Sequence, residues 1–376
     1  MPEPGRTVGV EEEFLLVDQS SFRPAALAEE VLVAAGSPPA DTFLHAELLQ
    51  TQVEAATGVS TSLDEVRTRL QQGRSALAVA AAANQAHIIA TGTPPLPGSP
   101  APMSRGERSD RIGQLYGGLL ADYESCGLHV HVGVPDRDTA VAVIGHLRPW
   151  LPVLLALSGN SPFNAGVDTG YSSWRMVQQA RFPGSGVPPT FDSAHSYDEA
   201  VGRLVDLGVL ADDRMSFWLA RPSPHAPTVE FRVGDVSITP DGAVLQAALS
   251  RALVRKALVE IAAGRQAPEV DGQVAAAGVW AAARYGLAGP GVDLVARRSA
   301  PAAELVQQLL ARVRDALEDV GDLSEMRSAL ARLERDGTGA ERQRRALVDG
   351  PAAVVRMLVA ETAPEQAGSL QPREDE

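Results

Sequence analysis

The sequence predicts one large α+β domain, on three observations. Three apolar, β-rich segments each set two ionisable side chains two residues apart: Glu11 and Glu13 in GVEEEFLLV, His129 and His131 in CGLHVHVGV, Glu230 and Arg232 in TVEFRVGDV. These segments are spread over the first 235 residues, so their side chains meet only if distant strands share one sheet. From Pro240 onward the pattern turns helical, and no repeat or clean linker divides the chain. Residues i and i+2 of a strand face the same side. Each segment therefore aims two polar groups at one surface while its alternate residues enter the core. Carboxylates crowded on such a surface repel unless cations neutralise them. Hard divalent ions such as Mg²⁺ or Mn²⁺ favour carboxylate oxygens with an occasional imidazole, and Mg²⁺ among carboxylates usually accompanies phosphate chemistry.

Taken in order, residues 7–17 read as the first strand. Residues 43–57, FLHAELLQTQVEAAT, fit either a helix or a strand. Gln50, Gln52 and Glu54 alternate as in a strand, while Glu47 and Glu54 are seven apart, as on one helical face. A strand pair with a turn between the two glutamates also aligns them. Ser62 with Glu65 makes a capping box that opens a helix running to about His87. A short strand at 88–91 follows, then a Pro-, Gly- and Ser-rich loop at 93–106. His129 and His131 lie on the next strand. The apolar stretch 140–158 is interrupted by His146, Arg148, Pro149 and Pro152, so it reads as a broken buried helix rather than a membrane span. Residues 158–191 are rich in Gly, Pro, Ser and Asn and read as a long binding loop with Arg175 and Arg181. The Glu230 strand comes next, preceded by Pro222, Pro224 and Pro227. Helices are expected at 241–263, 302–320, 323–335, 340–348 and 352–361, with a polar tail at 364–376 after a single domain at 1–363.

The formal charge of −14 argues against nucleic acid as the main partner. The opening MPEPGRTVGVEEE has no basic stretch leading into an apolar one, so no secretory signal is expected. Cys126 is the only cysteine, which forbids an internal disulfide. A cytoplasmic protein with no membrane association fits these features. Taken singly, each motif has an ordinary reading. GVEEEF is a charged strand edge, HVH a satisfied histidine pair or part of a zinc set, and Glu230 with Arg232 a plain ion pair. Their coincidence on apolar strands is what points to a site.

GVEEEFLLVD, ELLQTQVEAATG, CGLHVHVGV, SGNSPFNAGVDTGYSSWR, RPSPHAPTVEFRVGD and GTGAERQR together resemble the carboxylate–amine ligase family related to bacterial glutamate–cysteine ligase. The matches run from Gly9 to Arg344. The resemblance implies a glutamine synthetase-like catalytic domain, with a curved antiparallel sheet forming a funnel and helices packed outside. It implies ATP with Mg²⁺ or Mn²⁺ as cofactors, and as partners a small carboxylic acid and an amine. Glutamate and cysteine are the family's best-known pair, and a homo-oligomer is left open. Carried onto this chain, it makes Glu11, His129 and Glu230 ligands of one divalent ion, and Glu13, Glu47 and Glu54 ligands of another. His131 would contact ATP phosphates, Arg232 would stabilise the transferring γ-phosphoryl group, and Arg175 would hold a substrate carboxylate or an acyl phosphate. The chain departs from the family pattern in its Pro-rich loop at 94–106, and at Gly234, where a cysteine is common. An ATP-dependent phosphotransferase of the same shape, a metal-dependent amide hydrolase and a non-catalytic nucleotide sensor remain rival readings.

Overall fold

The polar pairs are brought together by seven antiparallel strands. A computed structural model describes residues 3–366. The strands are β1 (Val8–Asp18), β2 (Thr42–Ala46), β3 (Gln52–Thr57), β4 (Ala86–Ile89), β5 (Gly127–Gly133), the small hairpin β6 (Phe163–Asn164) and β7 (Val167–Asp168), then β8 (Ala220–Pro222) and β9 (Thr228–Asp235). A second small hairpin joins β10 (Pro290–Asp293) to β11 (Arg298–Pro301). The main sheet runs β2-β3-β1-β5-β9-β8, and β4 pairs with the distal half of β1.

Period-two patterning explains why these segments are strands. Val8, Val10, Leu128, Val130, Val132, Val229, Phe231 and Val233 alternate into the core, and the intervening residues face the opposite side. The acidic run of β1 splits by the same parity. Glu11 and Glu13 face the open side, while Glu12 points inward and pairs with Arg74, both side chains at most 2 % exposed. Arg74 Nε lies 2.9 Å from Glu12 Oε2, and its remaining N–H groups donate to the carbonyls of Ser237, Ile238 and Thr362. Such a pair is costly to break from one side, because a buried charge is then stranded.

Residues 43–57 resolve as the hairpin β2–β3, with Glu47 just past β2 and Glu54 on β3. The Ser62–Glu65 capping box forms, and its helix, Leu63–Ala83, ends earlier than the expected His87 because β4 begins at Ala86. The apolar stretch 137–158 is long and apolar enough to cross a membrane by composition. Arg148–Trp150 breaks it into two helices, and its side chains are spent on the core instead.

Several expectations need correction. The segment 158–191 is not one irregular loop: it holds the β6–β7 hairpin and a short helix, Trp174–Gln179. Helices Glu107–Tyr116, Ala194–Asp206 and Gly272–Tyr285 and the β10–β11 hairpin were not foreseen. The later helices, Pro240–Ala262, Ala302–Asp319, Leu323–Asp336, Gly339–Ala346 and Pro351–Thr362, lie where the pattern placed them, to within two residues. Of the expected tail 364–376, residues 367–376 lie outside the described residues.

Candidate active site and metal-binding residues

Strand register decides which polar groups meet. Glu11 on β1 stands opposite His129 on β5, Glu13 opposite Glu54 on β3, and His131 opposite Glu230 on β9. Between Leu128 and Val130 the β5–β9 register shifts, so β9 carries one extra residue there. The bulge keeps Arg232 and Asp235 on the same face, although they are three residues apart.

These strands line a cavity of about 590 Å³. Glu11, Glu13, Glu47, Glu54, His129, His131, Glu230 and Arg232 all reach it. Arg175 opens onto an adjoining cavity of about 160 Å³, whose lining it shares with Glu13, Glu47 and Arg232. All nine residues singled out in the sequence therefore converge on two neighbouring spaces.

Three trios have ligand atoms within 4.8 Å of one another: Glu13 with Glu47 and Glu54, Glu11 with Glu54 and His129, and Glu11 with His131 and Glu230. The first matches one of the ligand sets implied by the resemblance. The other set differs: Glu230 meets Glu11 through His131 rather than His129, because β5 presents His131 to β9 and His129 to β1.

Glu11 bridges the two imidazoles. Its Oε2 is 3.0 Å from His129 Nδ1 and its Oε1 is 3.1 Å from His131 Nε2. Burial alone would raise the Glu11 carboxyl, but His129 and His131 outweigh it and hold the group far below the usual range. His131 is shifted the other way: burial opposes its charge, yet Glu11 and Glu230 keep its pKa raised. Thr228 Oγ1 fixes the ring from behind, 2.9 Å from Nδ1.

The carboxyls of Glu47 and Glu54 are only partly compensated, although Arg232 acts on Glu47. Burial, and then the charge of Glu13, push the Glu47 carboxyl up to about 8. Burial, and then Glu47, Glu11 and Glu13, push Glu54 well above its ordinary value. His129 Nε2 is buried with no hydrogen-bond partner and sits 3.7 Å from Glu13 Oε1. Oxygen donors only partly offset by Arg232, beside an orphaned imidazole nitrogen, are a donor set that suits a hard divalent cation.

Glu230 is the exception among the carboxylates. Arg221 grips it with two hydrogen bonds, at 2.8 and 3.0 Å, and Arg232 Nη1 adds a third. Burial opposes ionisation, but Arg232 and then Arg221 hold the carboxyl well below the ordinary range. A cation at the Glu11–His131–Glu230 trio would have to use the lone pairs these arginines leave free. Arg232 pairs with Glu230, not with Asp235, and stays permanently charged.

Sequence reasoning missed Arg221, Arg108 and Arg214, which also line the main cavity. Arg221 had a readable signal. ARP and TVE flank the turn SPHAP, and pairing them as a hairpin sets Arg221 opposite Glu230. Arg108 pairs with Asp212 and the Arg214 carbonyl accepts from Arg221, and no local pattern marks either.

Glu47 fixes the sign of one pH effect. A carboxyl raised on folding, from 4.5 to about 8, stabilises the protein fully below 4.5, and that contribution is lost as pH climbs through about 8. The cation-free protein should therefore lose thermal stability over this window. Mg²⁺ or Mn²⁺ should restore it most at the alkaline end, where protons no longer compete. Melting curves with EDTA and with Mg²⁺, from about pH 5 to about pH 9, check this; a metal-induced shift in Tm that is the same at every pH contradicts it.

Comparison with known proteins identifies the family. The model of glutamate–cysteine ligase family 2 matches residues 7–371. A Saccharopolyspora erythraea protein provisionally named glutamate–cysteine ligase 2-2 is 57% identical over 97% of this chain and 95% of its own length. A Nocardia farcinica protein provisionally named glutamate–cysteine ligase 2-1 is 42% identical over 96% of each. Among solved structures, the Francisella tularensis glutamate–cysteine ligase in complex with AMP aligns with a TM-score of 0.68 at 12% identity, covering 100% of this chain and 90% of that one. A bifunctional glutathione synthetase from Pasteurella multocida aligns at 0.65 and 15% identity, covering 98% of this chain and 53% of that one. These two show the fold, which this chain shares with solved glutamate–cysteine ligase and glutathione synthetase structures. With the family model and the curated relatives spanning nearly the whole chain, this protein belongs to glutamate–cysteine ligase family 2, and with it to the carbon–nitrogen ligases.

Proposed function

We propose that this protein is an ATP- and divalent-cation-dependent carboxylate–amine ligase that forms an amide through an acyl phosphate, with glutamate as the acid and cysteine as the amine. The observation that most supports this reading is the cavity itself, which sets buried carboxyls with raised pKa beside arginines and histidines. A hydrolase of amides would need the metals but not the arginine-rich end.

The chemistry divides the cavity. A carboxylate acylates poorly, because its leaving group would be oxide. In the first step a carboxylate oxygen attacks the γ-phosphorus and ADP leaves. In the second the amine attacks the acyl carbon, phosphate leaves and the nitrogen loses a proton. Divalent ions would be held by Glu13, Glu47 and Glu54, and by Glu11 with His129 and Glu230, and would supply positive charge to the phosphates. Arg232 would supply the guanidinium that a charge-spread phosphoryl group needs. Arg221 holds Glu230, and Glu230 in turn holds Arg232. Burial opposes charge on His131 but Glu11 raises its pKa, and the ring would offer a donor to phosphate oxygens. Arg175 has two buried N–H groups without a hydrogen-bond partner, at Nε and Nη1, and can take a carboxylate.

The test is a panel of acids and amines incubated with ATP and Mg²⁺, with phosphate release and product mass both recorded. Stoichiometric phosphate and a new amide are expected, and EDTA should abolish both. Phosphate with a phosphorylated acid as the final product would instead make the protein a phosphotransferase. Amide cleavage without ATP would make it a hydrolase.

A further inference from the structure

The motif GTGAERQR, far from the cavity in sequence, has no role in the chemistry above. Its helix, Gly339–Ala346, packs against the start of the segment that ends in Arg175. Gln343 is fully buried, and its Nε2 donates to Asn160 Oδ1 at 2.8 Å and to the Asn160 carbonyl at 3.0 Å. The contact admits no side chain at Gly339, where a Cβ would lie 2.1 Å from Asn160 Oδ1. Asn160 and Ser161 both donate to Asp235 Oδ2, the Asn160 backbone N–H at 2.9 Å and the Ser161 hydroxyl at 2.7 Å. Ser173 donates to Asp235 Oδ1 at 2.8 Å.

Those two serines then hold the beginning of the Arg175 helix. Ser161 Oγ accepts from the Arg175 backbone N–H at 3.1 Å, and Ser173 Oγ accepts from that of Met176 at 3.2 Å. The guanidinium of Arg175 rests 3.8 Å from Asp235 and donates to the Arg232 carbonyl at 3.2 Å. It fits there because position 127 is glycine: a Cβ would meet Arg175 Nη2 at 2.4 Å. The hydrogen bonds from Asn160, Ser161 and Ser173 are buried, so their geometry is strongly enforced.

We infer that Gln343 is a positioning residue for Arg175, acting through Asn160, the two serines and Asp235, so that the helix Gly339–Ala346 sets the substrate-carboxylate grip of the second cavity. Arg344 braces the same segment from its exposed side, through Asp168 at 2.9 and 2.7 Å and the Tyr171 carbonyl at 2.9 Å. The inference rests on the proposed role of Arg175.

A double-mutant cycle on the full chain, assayed with Mg²⁺, ATP, L-glutamate and L-cysteine, tests it. Gln343→Ala should raise KM for one of the two amino acids about ten-fold and leave KM for ATP unchanged. Arg175→Ala should do at least as much, and the double variant should be no worse than Arg175→Ala alone. Backbone amide exchange should quicken across residues 174–179 and stay unchanged in β1. If Gln343→Ala does not fold, Arg344→Ala takes its place with the same expected pattern. Additive losses, or unchanged exchange across 174–179, overturn the inference while leaving the role of Arg175 intact. An unchanged KM for both amino acids in Arg175→Ala overturns that role, and the inference with it.

Discussion

Replacing Arg232 by alanine should lower kcat by about a thousand-fold, with a much smaller change in ATP affinity, as expected when a guanidinium serves the transition state more than the bound substrate. Strand parity aims Arg232 at the same face as Glu230, and the bulge in β9 preserves that aim. Its guanidinium can grip two phosphate oxygens at once. Arg232→Lys keeps the charge and loses the fork, so it should remain impaired. The fold should survive either change. Glu230 keeps its two hydrogen bonds from Arg221, so no buried carboxylate is stranded. The fall in Tm should be no more than about 4 °C. If Arg232 served only to tie down β9, the pattern would reverse, with a clear loss of Tm and a kcat near wild type. Measuring both quantities on one preparation decides between the two.

Glu54→Gln should have opposite effects on activity and on the stability of the cation-free protein. Glu54 faces Glu13 across the β1–β3 pair and hydrogen-bonds Glu47, and burial followed by their charges pushes its carboxyl well up. Glutamine keeps the volume and removes the repulsion. Above the pH at which these carboxyls ionise, the EDTA-treated variant should melt higher than the EDTA-treated parent. The same change deletes a cation ligand, so turnover should fall by at least about 100-fold and the gain in Tm from Mg²⁺ should shrink. Near-wild-type turnover with an undiminished Mg²⁺ response would remove Glu54 from the site.

The parts of the site that were legible in the sequence are those governed by strand parity. Spacings of two on apolar strands placed Glu11, Glu13, His129, His131, Glu230 and Arg232 on one face. Register was not legible. Nothing local says that His131 rather than His129 stands opposite Glu230, since that depends on how separate strands align. Glu12 shows the same limit from the other side: three glutamates in a row look alike until Arg74 claims the middle one. Some missed helices had readable starts. Asp271 caps Gly272–Tyr285, and Ser193 with Ser196 caps Ala194–Asp206. Glu107–Tyr116 begins at Gly106 with no side-chain cap, so only tertiary contacts such as that of Ile112 specify it. The relay from Gln343 to Arg175 joins residues 168 positions apart, beyond any pattern window. The family resemblance carried the fold, and with it the expectation of ATP, where composition and periodicity could not.

The central claim is that ATP activates a carboxylate as an acyl phosphate before an amine attacks. It is tested most directly by supplying the acid with both carboxylate oxygens as ¹⁸O, in the presence of ATP, Mg²⁺ and the amine, and weighing the products. The account predicts that each inorganic phosphate released carries one ¹⁸O and each amide retains the other, because the bridging oxygen leaves with phosphorus. Amide formed alongside unlabelled phosphate would contradict it, since ATP would then have been hydrolysed by water rather than by the acid.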